Sequence, residues 1–226
     1  MPAMWTLARP LLLIACCLAG CASTPASYPA GADARRVAYA GSVPCCEDPA
    51  AFAYVQLPEA GTVDVVIGRA SPAFEFQSGL SRFAAFRLPT GNAAFRVRVK
   101  SFFDGPDSPE GSVFYPVLAM MDEWFIVTRV SNLENLRLEQ ALATPAGASG
   151  LAVSAPFDPS VSPERYLVVF TPAVLLGAGP AEHRDGDVLT APSTDWMERR
   201  GRAVVTPSPF GRISITIAPL APPGAG

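Results

Sequence analysis

The sequence predicts an all-β protein, an antiparallel β-sandwich of jelly-roll type with short helices and an N-terminal tether. Apolar and polar residues alternate over 95–100 and again over 212–217, the period of a strand buried on one face only. The run 166–170 (Tyr-Leu-Val-Val-Phe) is apolar throughout, which predicts a strand covered on both faces. The 24 prolines and 18 glycines favour many turns over long helices.

The remaining strands are predicted where short apolar runs lie between turn-forming residues. They are 63–67, 72–76, 81–88, 112–120, 123–130, 135–139, 150–154 and 203–206. Helices are predicted only over 172–178 and 193–200, the second with Ser193 or Thr194 as its N-cap. Many short strands and few helical stretches indicate an antiparallel sandwich.

The first twenty residues are predicted to be a signal peptide. Residues 11–18 form an apolar core well below the roughly 20 residues that span a bilayer. It ends in Leu18-Ala19-Gly20-Cys21, which resembles the lipobox of bacterial lipoproteins. Small residues at 19 and 20 fit a narrow peptidase cleft, and only a thiol forms the thioether to diacylglycerol. The alternative is an ordinary signal peptide with a chance cysteine.

The lipid on Cys21 is predicted to be the membrane anchor, because no later apolar stretch approaches membrane-spanning length. Ala22 follows the cysteine, where an inner-membrane retention signal would usually place Asp. The sequence therefore predicts a palmitate-bearing outer-membrane lipoprotein that faces the periplasm.

The chain divides into five predicted parts. They are a signal peptide (1–20), a lipidated flexible tether (21–37), a transition arm with the Cys-Cys pair (38–62), a β-sandwich domain (63–219) and a disordered tail (220–226). Net charge is −3 with a pI near 5.2 and the chain has no basic run, so nucleic acid is not an expected partner.

Once Cys21 is lipidated, the mature chain keeps only the adjacent thiols Cys45 and Cys46, in an oxidising compartment. Neighbouring Cα atoms lie about 3.8 Å apart, below the usual disulfide range of about 4.4–6.8 Å. A strained vicinal disulfide and free thiols both stay open. Zinc is not expected, because the only imidazole is that of His183.

No catalytic site, cofactor site or metal site is predicted. His183-Arg184-Asp185 could do acid–base work, but the chain lacks a Gly-x-Ser-x-Gly nucleophile elbow, and a loop histidine is the simpler interpretation. Asp104, Asp107 and Glu110, or Asp185 with Asp187, lack the ligand spacing of a calcium loop and are interpreted as solvated turns.

Exposed aromatic rings are the candidates for sugar binding, since sugar rings stack on them. The candidates are Trp196, Trp124 and Tyr115, with Phe125 beside them. The competing interpretation places these residues in the core. Trp196 is the favoured candidate because its neighbours, over 193–200, are mostly polar.

Several landmarks resemble the maltose operon periplasmic protein family (MalM) in their order along the chain. They are Cys45-Cys46-Glu47, then 71–76, Gly79, 83–89, 164–171 and 211–217. The resemblance covers roughly 41–219, and 71–89 is its most specific part. It implies a non-enzymatic periplasmic accessory protein associated with maltose or maltodextrin transport. The lipobox departs from the family, whose best-known members are soluble.

Two functions follow as expectations. The first is a lipid-anchored, non-catalytic accessory protein of carbohydrate transport, with maltodextrin or a transport protein as its partner. The alternative is a structural or assembly lipoprotein of the envelope that binds another protein and no sugar.

Overall fold

The structure is a computed structural model, and it describes residues 42–103, 110–139, 149–177, 181–184 and 202–220. Within these ranges the strands are β1 (Val55–Gln56), β2 (Gly61–Ile67), β3 (Ala73–Phe76), β4 (Gly79–Arg87), β5 (Phe95–Phe102), β6 (Glu110–Phe114), β7 (Val117–Met121), β8 (Val127–Val130), β9 (Arg137–Glu139), β10 (Gly150–Phe157), β11 (Tyr166–Phe170), β12 (Ala181–Arg184), β13 (Arg202–Ser208) and β14 (Gly211–Pro219). Short 3₁₀ helices cover Pro49–Ala51, Leu133–Asn135 and Ala173–Gly177. None of the helices in these ranges is long and apolar enough to cross a membrane.

Two sheets pack face to face, which confirms the all-β sandwich. The six-stranded sheet runs β1-β4-β11-β7-β8, with β3 paired to β4. The five-stranded sheet runs β2-β14-β5-β10-β9 and is antiparallel throughout. A small third sheet joins β12, β13 and β6, and there β6 runs parallel to β13.

The main core lies between the two large sheets. In β5 and β14 every second side chain points inward, as the period-two alternation predicts. The largest fully buried side chains include Phe86, Phe114, Leu118, Leu151 and Leu167. Burial of each such side chain contributes about 1.5–3 kcal/mol, so this layer dominates the stability of the sandwich.

Two predicted strands are wrong in extent. The run 112–120 breaks at Tyr115 and Pro116, so that β6 joins the three-stranded sheet and β7 the six-stranded one. Pro116 has no N–H to give to a ladder, and the chain changes sheets there. In 123–130 only β8 is strand, because residues 122–126 form a turn around Asp122.

Three predicted boundaries also shift. The arm and the sandwich are continuous, since β1 lies inside 38–62 and β2 begins at Gly61. Leu220 does not belong to a free tail, because its N–H donates to the carbonyl of Ala94 at 2.8 Å. The helix predicted over 172–178 is a 3₁₀ helix of five residues, and the one predicted over 193–200 lies outside the described residues.

Candidate functional site

The outer face of the six-stranded sheet is apolar, which is unusual for a sheet face turned away from the core. β11 and β7 alternate like any strand, but both sets of their side chains are apolar. Leu167 and Val169 point into the main core, whereas Val168 and Phe170 join a second cluster on the outside. This second cluster explains why the run 166–170 lacks polar residues, as its sequence predicts for a strand covered on both faces.

Four phenylalanines build a wall along this outer face. Phe52, at the end of the first 3₁₀ helix, packs on Phe74 and Phe83 with ring centroids 4.9 and 4.3 Å away. Phe74 meets Phe76 edge to face at 5.0 Å. Edge-to-face and tilted pairs of this kind are worth about 0.5–1.5 kcal/mol beyond the area they bury. The wall therefore covers part of the outer face with packed aromatic rings.

Backbone and capping contacts hold the arm that carries Phe52. The N–H of Cys45 donates to the carbonyl of Ala73 at 2.8 Å, which ties the arm to β3. The guanidinium of Arg82 bonds the carbonyl of Ser71 and, at 2.9 Å, the hydroxyl of Ser42. The carboxylate of Asp48 accepts from the N–H of Ala50 at 2.8 Å and caps the 3₁₀ helix.

Beyond the wall, the outer face stays open as a groove of about 500 Å³. Its lining residues are Pro49, Phe52, Phe74, Glu75, Phe76, Gln77, Ser78, Val117, Ala119, Met121, Val127, Val130, Val168, Phe170 and Pro172. Twelve of these fifteen side chains are apolar, and the three polar ones, Glu75, Gln77 and Ser78, lie at the end of β3 and in the turn that follows it. This volume lies within the range of about 300–1,000 Å³ of small-molecule pockets. The groove is suited to an apolar group and offers few partners to a polar one.

β8 forms the open rim of the groove opposite the wall. It is the last strand of its sheet, so its outer edge has no neighbouring strand among the described residues. Val127 and Val130 line the groove, and both are at least half exposed. An exposed apolar edge strand is a template for pairing with another extended chain.

The turn before β8 presents an exposed tryptophan. One carboxylate oxygen of Asp122 accepts from the N–H groups of Trp124 and Ile126, each at 2.9 Å. Phe125 takes a positive φ of 62°, a conformation uncommon for a bulky residue. The indole of Trp124 is 73% exposed as a result of this turn.

Phe125 anchors the turn by stacking on two tyrosines. Its ring lies 4.6 Å from that of Tyr166 and 5.7 Å from that of Tyr54. Tyr54 donates to the carbonyl of Pro49 at 2.8 Å. Burial raises the pKa of Tyr54 above its ordinary value, and Tyr166 adds to the rise. The hydroxyl is a donor that fixes Tyr54 to the first 3₁₀ helix within the arm, and the ring contact of Tyr54 with Phe125 joins the arm to the turn.

The structure places the residues predicted as sites in different surroundings. Cys45 and Cys46 are joined by a vicinal disulfide at the start of the arm, and Cys46 packs against the outer cluster. The ring of Trp124 is accessible. Tyr115 is only 2% exposed, so no ligand reaches its ring, and the prediction of a sugar-binding role is wrong for it. Cys21 and Trp196 lie outside the described residues.

The described part of the structure gives little support to the polar residues considered above as catalytic or metal-binding candidates. His183 lies in β12 opposite Ala203, and Asp104, Asp107, Asp185 and Asp187 lie outside the described residues. In the ranges that the structure describes, no three His, Cys, Asp or Glu side chains are grouped closely enough to hold a metal ion.

The groove itself was not predicted from the sequence. Its signals were present as two alternations, Phe74 with Phe76 on β3 and Val168 with Phe170 on β11, whose second face is also apolar. Sequence periodicity identifies an apolar face but does not say whether another element covers it.

A comparison of the sequence with protein-family models and with curated proteins finds no match.

Proposed function

We propose that this chain is a non-catalytic accessory lipoprotein of the periplasm that binds an apolar segment of another envelope protein in the groove. The observation that carries the proposal is the groove on the outer face of the six-stranded sheet, with twelve apolar side chains among its fifteen lining residues. The lipobox at Cys21 and the missing nucleophile elbow support the anchor and the non-catalytic role.

A protein segment fits the groove better than a sugar does. Sugar hydroxyls need several polar partners, and the groove offers only Glu75, Gln77 and Ser78. An extended chain paired to the free edge of β8 would satisfy its own backbone through main-chain hydrogen bonds. The side chains on one of its faces would then pack beside Val127 and Val130 and continue the apolar face of the groove beyond β8.

The resemblance to the maltose operon periplasmic protein family supports maltodextrin transport as the setting, and a transport protein as the partner. Direct maltodextrin binding is a second candidate, because Trp124 presents an exposed ring beside the carboxylates of Asp122 and Glu123. That site lies on the turn before β8. The two candidates therefore use different residues and can be tested separately.

The groove is tested with octapeptides that alternate valine or phenylalanine with lysine, titrated into the chain in a calorimeter. Val130→Glu places a charge at the rim without disturbing the core, because Val130 is 54% exposed. We expect at least tenfold weaker peptide binding. Val161→Glu is the matched control, since Val161 is equally small, 79% exposed and not among the lining residues of the groove. Failure of every peptide to bind, or equal weakening by both variants, would contradict the groove proposal.

The sugar candidate is tested by calorimetry with maltose through maltoheptaose. If Trp124 is the platform, Trp124→Ala weakens binding about 5- to 30-fold, the loss typical of one exposed anchor. Trp196 remains the other proposed platform, and Trp196→Ala is measured beside it. If the parent chain gives no heat of binding at millimolar sugar, direct sugar binding is excluded and only the protein-binding proposal remains.

The anchor is tested by metabolic labelling with palmitate. Cys21→Ser should lose the label and leave the precursor uncleaved, because serine forms no thioether. If the Cys21→Ser variant is still labelled, the lipobox assignment is contradicted. Cys17→Ser is the control: it changes another cysteine near the cleavage point and should keep the label.

A further inference from the structure

A column of cations runs along the outer face of the five-stranded sheet. The outward side chains of β5 are Arg96, Arg98, Lys100 and Phe102 in sequence. Residues two apart in a strand lie about 6.6–6.8 Å apart, so three positive charges follow one another along the central strand.

The strands on both sides of this column carry small residues opposite the cations. Arg98 lies between Thr216 on β14 and Ser154 on β10. Lys100 lies in the same way between Ser214 and Ala152. These short neighbours leave room for the long cationic stems to lie along the sheet, where the side chain of Arg98 is 34% and that of Lys100 14% exposed.

Cations also exceed anions over the whole of this face. Arg137 on β9 and Arg212 on β14 add to the three on β5, whereas Asp64 and Glu139 are the carboxylates that the described strands place there. The excess is three positive charges on a chain whose net charge is −3. Charge is therefore distributed unevenly, and this face attracts anions.

Internal pairing uses only part of the positive charge. Glu139 bonds Arg98 and lies 3.4 Å from the ammonium of Lys100. Among the described residues, Arg96, Arg137 and Arg212 have no carboxylate partner. All three side chains are exposed and keep N–H donors for an anion, and in Arg137 one nitrogen also donates to the carbonyls of Glu134 and Leu136.

One end of the face is apolar as well as basic. The guanidinium of Arg212 lies 4.5 Å from the ring centroid of Phe102, and the ammonium of Lys100 lies 5.6 Å from it. Val66, opposite Arg212 on β2, is 67% exposed. Apolar groups beside cations suit the boundary between phosphate headgroups and acyl chains.

We propose that the outer face of the five-stranded sheet docks onto an anionic phospholipid surface. The cations spread over β9, β5 and β14, three strand spacings or about 14 Å, so they form a flat patch instead of a cleft. A flat basic patch matches a layer of phosphate headgroups. The face is separate from the groove, which lies on the other sheet.

The position of Cys21 is consistent with this orientation. Twenty residues, 22–41, lie between it and Ser42, where the described chain begins, a contour of at most about 75 Å. A lipid there would keep the patch close to headgroups, so the patch would act at the membrane surface that holds the anchor. The docking itself requires no lipid on the protein.

The test uses residues 21–226 with Cys21→Ser, which removes the signal peptide and the lipid. The protein is sedimented with phosphatidylcholine vesicles, with or without about a third of phosphatidylglycerol. We expect binding to the anionic vesicles only, and its loss at high salt, because salt screens exposed charges. The triple variant Arg96→Gln, Arg137→Gln, Arg212→Gln should weaken binding on the order of a hundredfold.

The matched control is Arg69→Gln, Arg87→Gln, Arg165→Gln, which removes three exposed cations from outside this face and gives the same net charge. It should bind like the parent, and so should Val130→Glu in the groove. Thermal melts check that each variant is folded. Equal weakening by the two triple variants, or no vesicle binding by the parent, would overturn the proposal. Binding to soluble polyphosphate but not to vesicles would also overturn it and assign the face to a soluble polyanion.

Discussion

Phe76 of β3 stacks on Phe170 of β11, with ring centroids 4.1 Å apart and planes 10° from parallel. These strands are not hydrogen-bonded to each other, so this ring pair closes the phenylalanine wall over the sheet. Phe76→Ala should lower the free energy of unfolding by about 2–4 kcal/mol and weaken peptide binding in the groove. Chemical denaturation measures the first effect. Trp124→Ala, which removes an exposed ring, should leave the stability nearly unchanged, and a similar loss in both variants would contradict the packing role of Phe76.

Gly150 is the first residue of β10 and pairs with Phe102 of β5. A Cβ atom added there would overlap the backbone carbonyl oxygen of Ser101, which cannot move without breaking the ladder between the two strands. Gly150→Ala should therefore cost about 1–3 kcal/mol of stability. Gly68→Ala adds the same methyl group where no atom lies within 4 Å, so its effect should stay within about 0.5 kcal/mol. Equal melting temperatures for the two variants would contradict the close approach.

The Cys45–Cys46 disulfide should contribute little to global stability. It closes a loop of only two residues, and a disulfide stabilises a protein mainly by restricting longer loops in the unfolded chain. Reduction should raise the intact mass by about 2 Da and shift the melting temperature by no more than a few degrees. The double variant Cys45→Ser, Cys46→Ser should melt like the reduced protein. An unchanged mass would show free thiols, and loss of a dimer on reduction would show intermolecular pairing.

Among the described residues, Asp158 is the carboxyl group for which the structure predicts a clear pH effect. The hydroxyl of Ser160 donates to it at 2.6 Å and the N–H of Ser160 at 3.0 Å, and these bonds hold its pKa below the ordinary 3.8. The pKa of Asp158 is lower in the folded chain than in the unfolded chain. The stability that this turn contributes is therefore fully present above the unfolded pKa, and it is lost as the pH falls through the folded pKa.

Ser160→Ala removes the larger of the two causes and should raise the pKa of Asp158 towards its ordinary value. Carbon-detected NMR titration of the carboxyl group measures the change. Ser154→Ala, on the exposed side of β10, should leave that pKa where it is. If Ser160→Ala leaves the titration midpoint of Asp158 unchanged, the hydroxyl of Ser160 does not lower the pKa of that carboxyl group.

The sequence alone determined the fold class and most strand positions, because alternation is a local property. Each of β5 and β14 shows on its own which side chains face inward. For the same reason, the apolar run 166–170 showed that β11 is covered on both faces. Local pattern did not reveal that residues 112–120 cross from one sheet to another at Pro116, since a crossing depends on which strands pair.

The tertiary structure alone decided which faces are open. Trp124 and Tyr115 are both aromatic residues within predicted strands, but the Asp122 turn exposes the first, and packing between the sheets buries the second. The groove exists because the phenylalanine wall covers only part of an apolar sheet face, and the basic face exists because register aligns Arg98 and Lys100 with short neighbours. Both surfaces arise from contacts between residues far apart in the chain, which local sequence patterns do not encode.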